Sequence, residues 1–440
     1  MKVNNKSIIY TLTLSAGFCA ATISFLAPLF PYGVDSAGYI DQARSIMARG
    51  AFEVNPYNKW GAGVSPGPAK LFPPGYPLLI VTGSIVSQLP VEVVAPFLSL
   101  AALILLPLVI VFSFHRILGL WPAFWIAILV VLTPAAVKYG YVAYSDTPSL
   151  VWVIYAVNRL LVADNRPAPW FFLGLLTGFA YLIRNANLGL LPSISLYLLW
   201  CFIIEPGNRK ETIKNGFVWL ATNALIIVPW LIRNILVFGK LQPYWMHPSS
   251  VSLGENIHDY LRSQLDTLLA FRYLDTLLTA DPWGFILLLM LVAVLTHQVI
   301  ATWRNWQKIE QKTFFISVVH TVIGAAIVIA ARTRYEWGVH IIVRYALPYS
   351  CFVFVALFIV LKNTTFKINR RNFGFGVAIT LLLIRFYELP VLYKYNNYQQ
   401  RIMEMAKTIK DNKAVMCNYS DGRIIISNDA YVYRILCAEP

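Results

Sequence analysis

Long apolar runs separated by short polar segments recur along the whole chain of 440 residues. Each run is about long enough to cross a hydrocarbon core of about 30 Å, because a helix rises about 1.5 Å per residue. Backbone groups in lipid need partners within their own segment, which favours helices. The pattern predicts an all-α polytopic membrane protein of about eleven spanning helices, at residues 8–30, 94–114, 121–141, 148–163, 170–183, 189–204, 217–238, 283–303, 314–331, 345–361 and 373–387.

Composition supports a chain that is solvated by lipid, since 58% of the residues are hydrophobic and only 13% are charged. The net charge of +15 does not indicate nucleic-acid binding, because many of the basic residues lie in short loops between apolar runs. The 5 cysteines form no CxxC pair, and there is no HExxH motif. The sequence therefore predicts neither a nucleic-acid partner nor a metal. It predicts that membrane lipids surround the chain.

The distribution of basic residues predicts the orientation of the chain, because cytoplasmic loops carry an excess of Lys and Arg. A cytoplasmic N-terminus brings one set of clusters to that side: Lys2 and Lys6, Arg116, Arg159 and Arg166, Arg209, Lys210 and Lys214, Arg304, Lys308 and Lys312, and Lys362, Lys367, Arg370 and Arg371. The first loop, residues 31–93, and the C-terminal region, residues 390–440, are then exported. We expect a membrane domain at 1–389 and a small exported region at 390–440. The segments 170–183 and 189–204 are also compatible with a re-entrant pair, which leaves this orientation unchanged.

The exported regions have some predicted structure of their own. In the first loop, residues 37–49 and 76–88 are amphipathic enough to form interfacial helices, while residues 55–74 are rich in Gly and Pro and predict irregular chain. In the C-terminal region we expect a helix at 398–411, followed by two short strands near Ile424 and Tyr431. Cys417 and Cys437 lie in this region, where an oxidising compartment would permit a disulfide, and the sequence leaves that pairing open.

Two carboxylates lie next to predicted helix starts on the exported side. Asp35 follows the first span, and Asp146 precedes Thr147 and Pro148. Asp is a favoured N-cap residue, so Asp35 could cap a helix that begins at Ser36, and Asp146 could start the next span. The other interpretation is a catalytic or binding role at the membrane surface. A capping residue can still face a site.

Three arginines, Arg184, Arg233 and Arg344, lie at or near the exported ends of apolar helices, where basic residues are otherwise scarce. Snorkelling or internal ion pairing would account for them structurally. Phosphate binding is the functional alternative, because Arg forms charge-assisted and often bidentate bonds with phosphate. An amphiphile with a phosphate at the outer leaflet would supply that counter-ion.

Several of these segments resemble motifs of one family, the GT-C membrane glycosyltransferases. Residues 33–39 (GVDSAGY), with a helix running to Gly50, resemble the first-loop motif of that family. Residues 72–79 (FPPGYPLL) are similar to the Pro-Pro motif of its protein mannosyltransferase and lipid A aminoarabinose transferase group, which is glycosyltransferase family 39-like. Four further segments of this chain resemble later elements of that group, in the same order: residues 144–148 (YSDTP), 182–184 (LIR), 229–234 (PWLIRN) with 238–239 (FG), and 344–348 (RYALP).

The resemblance implies an inverting transferase that moves a sugar from a polyprenyl-phosphate donor to a lipid, glycan or protein acceptor outside the cytoplasm. It implies two catalytic residues, Asp35 as the base and Asp146 in positioning the acceptor or an Arg. The implied substrate-binding residues are Tyr39, Lys70, Tyr76, Arg184, Arg233 and Arg344. A bacterial inner membrane, with the site facing the periplasm or exterior, is the expected location.

This sequence departs from the family pattern at two points. Ser36 stands where many relatives have a second acidic residue, which weakens the case for a metal at this loop, so no cofactor is expected. The nearest lysine to the Pro-Pro motif is Lys70, where some relatives have one directly before it. The alternative function is a transporter or flippase of an anionic lipid or lipid-linked sugar, although no repeat between the two halves supports it.

Overall fold

A computed structural model describes residues 5–26, 31–54, 67–243, 248–269, 282–335, 341–364 and 397–411, together with positions 376, 379 and 383. Helices dominate these ranges. The α-helices are α1 Asn5–Leu26, α2 Val34–Arg49, α3 Gly75–Ser87, α4 Val91–Leu118, α5 Leu120–Val131, α6 Pro134–Tyr139, α7 Asp146–Val162, α8 Pro167–Ile183, α9 Leu190–Ile204, α10 Arg209–Phe238, α11 Leu253–Leu269, α12 Pro282–Thr302, α13 Lys308–Arg334, α14 Val343–Asn363 and α15 Asn397–Asp411. Short 3-10 turns lie at Asn185–Gly189, Pro206–Asn208 and Trp303–Asn305, and two strands, β1 Glu53–Val54 and β2 Gly67–Pro68, pair antiparallel.

The all-α polytopic architecture expected from the apolar runs is confirmed. Among the described residues, 6 helices are long and apolar enough to cross a membrane, by length and composition: Lys6–Leu26, Val91–Leu118, Asn185–Ile204, Pro206–Phe238, Lys308–Arg334 and Val343–Asn363. The number of eleven spans stays a prediction. The predicted span at 373–387 lies almost entirely outside the described residues.

Two helix assignments differ from the sequence-based expectation. The predicted span at 121–141 is divided into α5 and α6, because Thr133 caps α6 by accepting a hydrogen bond from Ala136 N at 3.1 Å, and Pro134 follows as the first helical residue. The segment 239–282, where no helix was predicted, contains α11. Its apolar residues are too sparse for a span, and they lie on one side of the helix, with Leu253, Ile257 and Leu261 exposed.

The long first loop, residues 31–93, has the two helices that its amphipathic pattern predicts, α2 and α3. The expectation of irregular chain throughout 55–74 is wrong at Gly67–Pro68, which pairs with Glu53–Val54. Residues 55–66 lie outside the described part. The predicted helix near the C-terminus is present as α15, whereas the two predicted strands near Ile424 and Tyr431, and the Cys417 and Cys437 pair, lie outside the described residues.

Close packing of α8 against α10 shows how the helices meet in lipid. A Cβ at Gly174 or Gly178 would lie within 2.6 to 2.7 Å of atoms of α10, so glycine is needed for the approach. Between these glycines, Thr177 Oγ1 accepts hydrogen bonds from Trp219 Nε1 at 3.1 Å and from Asn223 Nδ2 at 2.6 Å. Small residues and satisfied polar groups are the features that hold membrane helices together.

Charged residues gather at the two ends of the helix bundle. At one end, Glu205 forms ion pairs with Lys308 (3.0 Å) and Lys312 (2.9 Å), and Glu310 pairs with Lys362 at 2.6 Å. Arg344 lies near the start of α14 and Lys362 near its end, about 27 Å apart at the helical rise. Three of the basic residues predicted to be cytoplasmic, Lys308, Lys312 and Lys362, therefore lie together away from Arg344.

Candidate active site

Both candidate carboxylates lie in the first turn of a helix. Gly33 is the N-cap of α2, so Asp35 is already inside the helix, and Ser145 precedes α7, which begins at Asp146. The interpretation of Asp35 as the N-cap of a helix beginning at Ser36 is therefore wrong. The positive end of a helix dipole favours a carboxylate at either position, and the side chains remain able to form ion pairs.

Arg344 joins the two carboxylates. Its Nε donates to both oxygens of Asp146, at 3.1 Å to Oδ1 and 3.0 Å to Oδ2, and its Nη2 donates to Asp35 Oδ2. Asp35, Asp146 and Arg344 come from α2, α7 and α14, and 309 positions separate Asp35 from Arg344 in the sequence. Three helices thus meet at one guanidinium.

Arg184 completes the group from the end of α8. Its Nη1 forms an ion pair with Asp146 Oδ1, and its side chain is 10% exposed. Asp35, Asp146, Arg184 and Arg344, which we name the four-residue cluster, have formal charges that sum to zero. Buried charges are tolerated when they are paired in this way. Internal ion pairing, one of the two structural explanations for these arginines, is therefore present at Arg184 and Arg344.

Tyr39 and Tyr144 lie beside the cluster, and sequence analysis singled out only Tyr39 as a site residue. Arg344 Cζ lies 4.0 Å from the centroid of the Tyr144 ring, and the Tyr39 hydroxyl lies 2.9 Å from Ser145 Oγ. Burial, and then the charge of Asp35, raises the pKa of Tyr39 well above its ordinary value; burial also raises the pKa of Tyr144. Both phenols therefore stay protonated. Tyr144 could have been found from its position in the same motif as Asp146.

The turn before α2 is held against the turn before α7 by local contacts. Ser36 Oγ accepts from Gly33 N at 2.8 Å and donates to Ala143 O at 3.0 Å. A Cβ on Gly33 would overlap the Tyr144 hydroxyl. The residue that replaces the second acid of the family motif thus fixes the backbone next to Asp35.

The Pro-Pro segment supports the end of α8, where Arg184 lies. A Cβ on Gly75 would lie 2.5 Å from the Leu182 carbonyl carbon, and Asn185 Nδ2 donates to Leu71 O at 3.0 Å. Tyr76 is fully buried and donates to Ala95 O at 2.9 Å. In the structure Tyr76 is a packing residue whose hydroxyl contacts α4. Its role in substrate binding stays a prediction.

Arg233 and Lys70 lie together at a second position. Arg233 donates to the backbone oxygens of Ala69 (2.6 Å) and Phe52 (3.1 Å), which belong to the chain around β1 and β2. Arg233 Cζ and the exposed Lys70 Nζ lie 5.1 and 5.5 Å from the centroid of the same ring, that of Phe238. Arg233 thus holds the pair of strands β1 and β2, which we name the ribbon, against α10. The exposed Lys70 lies beside it.

A metal site is not formed by the described residues. In that part of the chain no group of three or more His, Cys, Asp or Glu residues could hold an ion. The expectation that no metal or cofactor is needed stays a prediction.

Comparisons with known proteins give a structural likeness. No family's sequence profile matches the chain, and no curated protein sequence matches it. The oligosaccharyltransferase of Archaeoglobus fulgidus, solved in complex with Zn and sulfate, is similar with a TM-score of 0.53 at 14% identity, over 96% of this chain and 61% of that one. The same organism's AglB, solved with an inhibitory peptide and a dolichol-phosphate, is similar with a TM-score of 0.52 at 12% identity, over 97% and 64%.

A bacterial structure is similar to the same extent. ArnT from Cupriavidus metallidurans bound to undecaprenyl phosphate has a TM-score of 0.53 at 13% identity, over 87% of this chain and 73% of that one. This chain spans about three fifths of the length of the archaeal oligosaccharyltransferase. The chain therefore has the membrane fold of the GT-C proteins, to which both neighbours belong, and the resemblance read from its sequence motifs is confirmed at the level of the fold.

Proposed function

We propose that this protein is an inverting glycosyltransferase, which moves a sugar from a polyprenyl-phosphate donor to an acceptor on the non-cytoplasmic face of a membrane. The observation that carries the proposal is the shared guanidinium of Arg344, which joins a partly exposed carboxylate to a buried one at the end of a helix bundle. Solved neighbours of the same fold are bound to undecaprenyl phosphate or to a dolichol-phosphate, which supports a donor of this class.

The two carboxylates suit different roles because they differ in exposure. The Asp35 side chain is 25% exposed, while that of Asp146 is 1% exposed. Asp35 is the carboxylate that solvent, and therefore an acceptor hydroxyl, can reach, so it is assigned as the general base. Asp146, paired with Arg184 and Arg344, orients both guanidinium groups.

The reaction is a single displacement. Asp35 takes the proton of the acceptor hydroxyl, the acceptor oxygen bonds to the anomeric carbon, and the bond from that carbon to the phosphate oxygen breaks. The electron pair goes to the phosphate, and one displacement inverts the anomeric configuration. Fixed positive charge next to the phosphate lowers the barrier, because the leaving group gains negative charge.

Positive charge is available at two positions. Arg344 and Arg184 lie beside the carboxylates, and Lys70 and Arg233 lie beside Phe238. Arg344 is assigned to the donor phosphate, and Lys70, the exposed member of the second pair, is assigned as a further phosphate ligand. Arg233 donates to backbone carbonyls, so it is assigned to positioning the loop that presents Lys70.

The setting is proposed to be a bacterial inner membrane with the cluster facing the periplasm or exterior. Basic residues gathered at the opposite end of α14 support this orientation. The acceptor is a lipid, a glycan or a protein, and the peptide-bound neighbours show that this fold can hold a peptide. No metal step is part of the proposal.

The test is transfer of radiolabelled sugar from a panel of polyprenyl-phosphate sugars, in membranes that contain the protein. Native chain, Asp35→Asn and Asp164→Asn are compared at equal protein levels. Asp164 forms an exposed ion pair with Arg166 between α7 and α8, so it serves as the matched carboxylate control. Activity that disappears in Asp35→Asn and persists in Asp164→Asn supports both the reaction class and the base.

Two other outcomes would change the proposal. Full activity in Asp35→Asn would remove the base assignment while leaving the transferase in place. Absence of transfer from every donor would contradict the transferase and favour the transporter or flippase of an anionic lipid.

A further inference from the structure

Arg344 has little unused surface in the observed arrangement. One face of its guanidinium lies over the Tyr144 ring, at 4.0 Å from Cζ to the centroid, and its side chain is 11% exposed. Its Nε binds Asp146 and its Nη2 binds Asp35. A phosphate that binds Arg344 at Nη2 therefore has to displace Asp35.

The two carboxylates differ in how firmly they are held. Asp146 is 1% exposed and has a second cationic partner, Arg184. Asp35 is 25% exposed, and among the described residues its ion pair is with Arg344. An anion that approaches from the exposed side meets Asp35 first, and displacing Asp35 leaves no buried carboxylate unpaired.

The charge balance of the four-residue cluster favours such an exchange. Its two guanidinium groups already neutralise its two carboxylates, so the single negative charge of a phosphodiester is in excess. Asp35 and the phosphate then compete for the same nitrogen, because like charges repel when they share one cation. Displaced from Arg344, Asp35 loses the ion pair that it has among the described residues, and its carboxylate can turn to the acceptor hydroxyl.

We propose that Arg344 holds Asp35 until a donor phosphate takes its place, so that the base becomes free only when the donor is bound. This inference rests on the proposed function. The reaction then has a fixed order of steps: the phosphate binds, Asp35 turns to the acceptor, and transfer follows.

The exchange also balances charge through the reaction. The acceptor proton neutralises Asp35 at the same time as the electron pair of the broken bond converts the phosphodiester monoanion into a phosphomonoester dianion. Negative charge thus leaves Asp35 as it develops on the phosphate, next to one guanidinium. When the dianion departs, Asp35 releases its proton to water and returns to Arg344.

The test measures binding of undecaprenyl phosphate to the purified full chain, with no turnover required. Asp35→Asn removes the competitor, so we expect binding about tenfold tighter than in the native chain, within the range of coupling between neighbouring charged residues. In an Arg344→Gln background the same Asp35→Asn change should alter the affinity less than about twofold. Glu53→Gln removes a carboxylate of the same loop that pairs with Arg49, and it should leave binding unchanged.

Each contrary result has a distinct meaning. Equal affinity in the native chain and Asp35→Asn would overturn the exchange and leave the transferase standing. The same gain in both backgrounds would show a general charge effect and would also overturn it. If folded native chain binds neither undecaprenyl nor dolichyl phosphate, the proposed function itself fails. Should Arg344→Gln not fold, Arg344→Lys replaces it. A lysine has one nitrogen, which cannot bind Asp146 and Asp35 as two separate guanidinium nitrogens do, so this variant should abolish most of the coupling.

Discussion

Arg344 Cζ lies 4.0 Å from the centroid of the Tyr144 ring, two residues before the carboxylate that the same guanidinium binds. An aromatic face attracts a guanidinium and leaves its edges open to acceptors in the plane. The stacking therefore sets which directions the N–H groups of Arg344 take. It explains how Asp35 and Asp146, from two helices, reach different nitrogens of one side chain.

Gly33→Ala should reduce sugar transfer strongly. The new methyl group would overlap the Tyr144 hydroxyl, so the ring that supports Arg344 has to shift, and overpacking of this kind costs about 1 to 3 kcal/mol. Gly67→Ala is the matched control, because a Cβ there meets nothing within 4 Å. Transfer rate and melting temperature would be measured for both variants, and equal rates would contradict the packing argument.

Asp146→Asn should destabilise the fold more than Asp35→Asn. It leaves the buried Arg184 and Arg344 with one carboxylate fewer, and breaking a buried ion pair costs about 3 to 5 kcal/mol. Asp35 is partly exposed, so in Asp35→Asn water can replace part of the hydrogen bonding that Arg344 loses. Thermal unfolding of the purified variants, with Asp164→Asn as an exposed control, should rank the melting temperatures with Asp146→Asn lowest. A reversed order would show that the cluster is not held by Asp146.

Arg233→Gln should loosen the ribbon of β1 and β2. The guanidinium donates to Ala69 O and Phe52 O, and those bonds hold the ribbon against α10. Hydrogen–deuterium exchange should become faster at Ala69, whose amide donates to Phe52 O at 2.9 Å. Arg209→Gln, at the other end of α10, is the control. Unchanged exchange in Arg233→Gln would mean that the pairing of β1 with β2 does not depend on Arg233.

Glu205 should make the other end of the bundle sensitive to acid. Burial acts to raise its pKa, but Lys312 and Lys308 outweigh it and lower the pKa from 4.5 to about 2. A carboxylate with a depressed folded pKa stabilises the protein above its unfolded value and loses that contribution as pH falls from 4.5 through 2. The difference in melting temperature between native chain and Glu205→Gln should therefore be full at pH 6 and shrink as the pH falls below 4.5. A difference that stays constant over this range would contradict the ion pairs.

The sequence predicted the helices more reliably than their ends. Apolar runs gave α4 and α14 nearly as the structure has them, because lipid demands length and apolarity from a continuous segment. The break at Thr133 and Pro134 was missed, since both flanks are apolar and the run appears unbroken. The helix α11 was missed for the opposite reason, as an amphipathic segment does not stand out in a search for spans.

The site was only partly accessible to sequence reasoning. Asp35, Asp146, Arg184 and Arg344 were all identified, because charged residues at helix ends are few in this chain and fall in recognisable motifs. Arg233 was grouped with the other arginines, although its partners are the backbone oxygens of Ala69 and Phe52. The sequence does not distinguish Arg233 from the other arginines, because the residues adjacent in the chain do not determine which groups a guanidinium binds in the fold.

The amino-acid sequence by itself determined that the chain is a helical membrane protein, which residues carry charge next to its apolar segments, and which end of each helix they occupy. These follow from hydropathy and from the alternation of helix direction, both of which are properties of order along the chain. Only the tertiary structure decided that Arg344 takes both Asp35 and Asp146, that Asp35 keeps contact with solvent, and that Asp146 is buried with Arg184. Residues 198 and 309 positions apart meet through helix packing, and burial depends on what the packed helices cover.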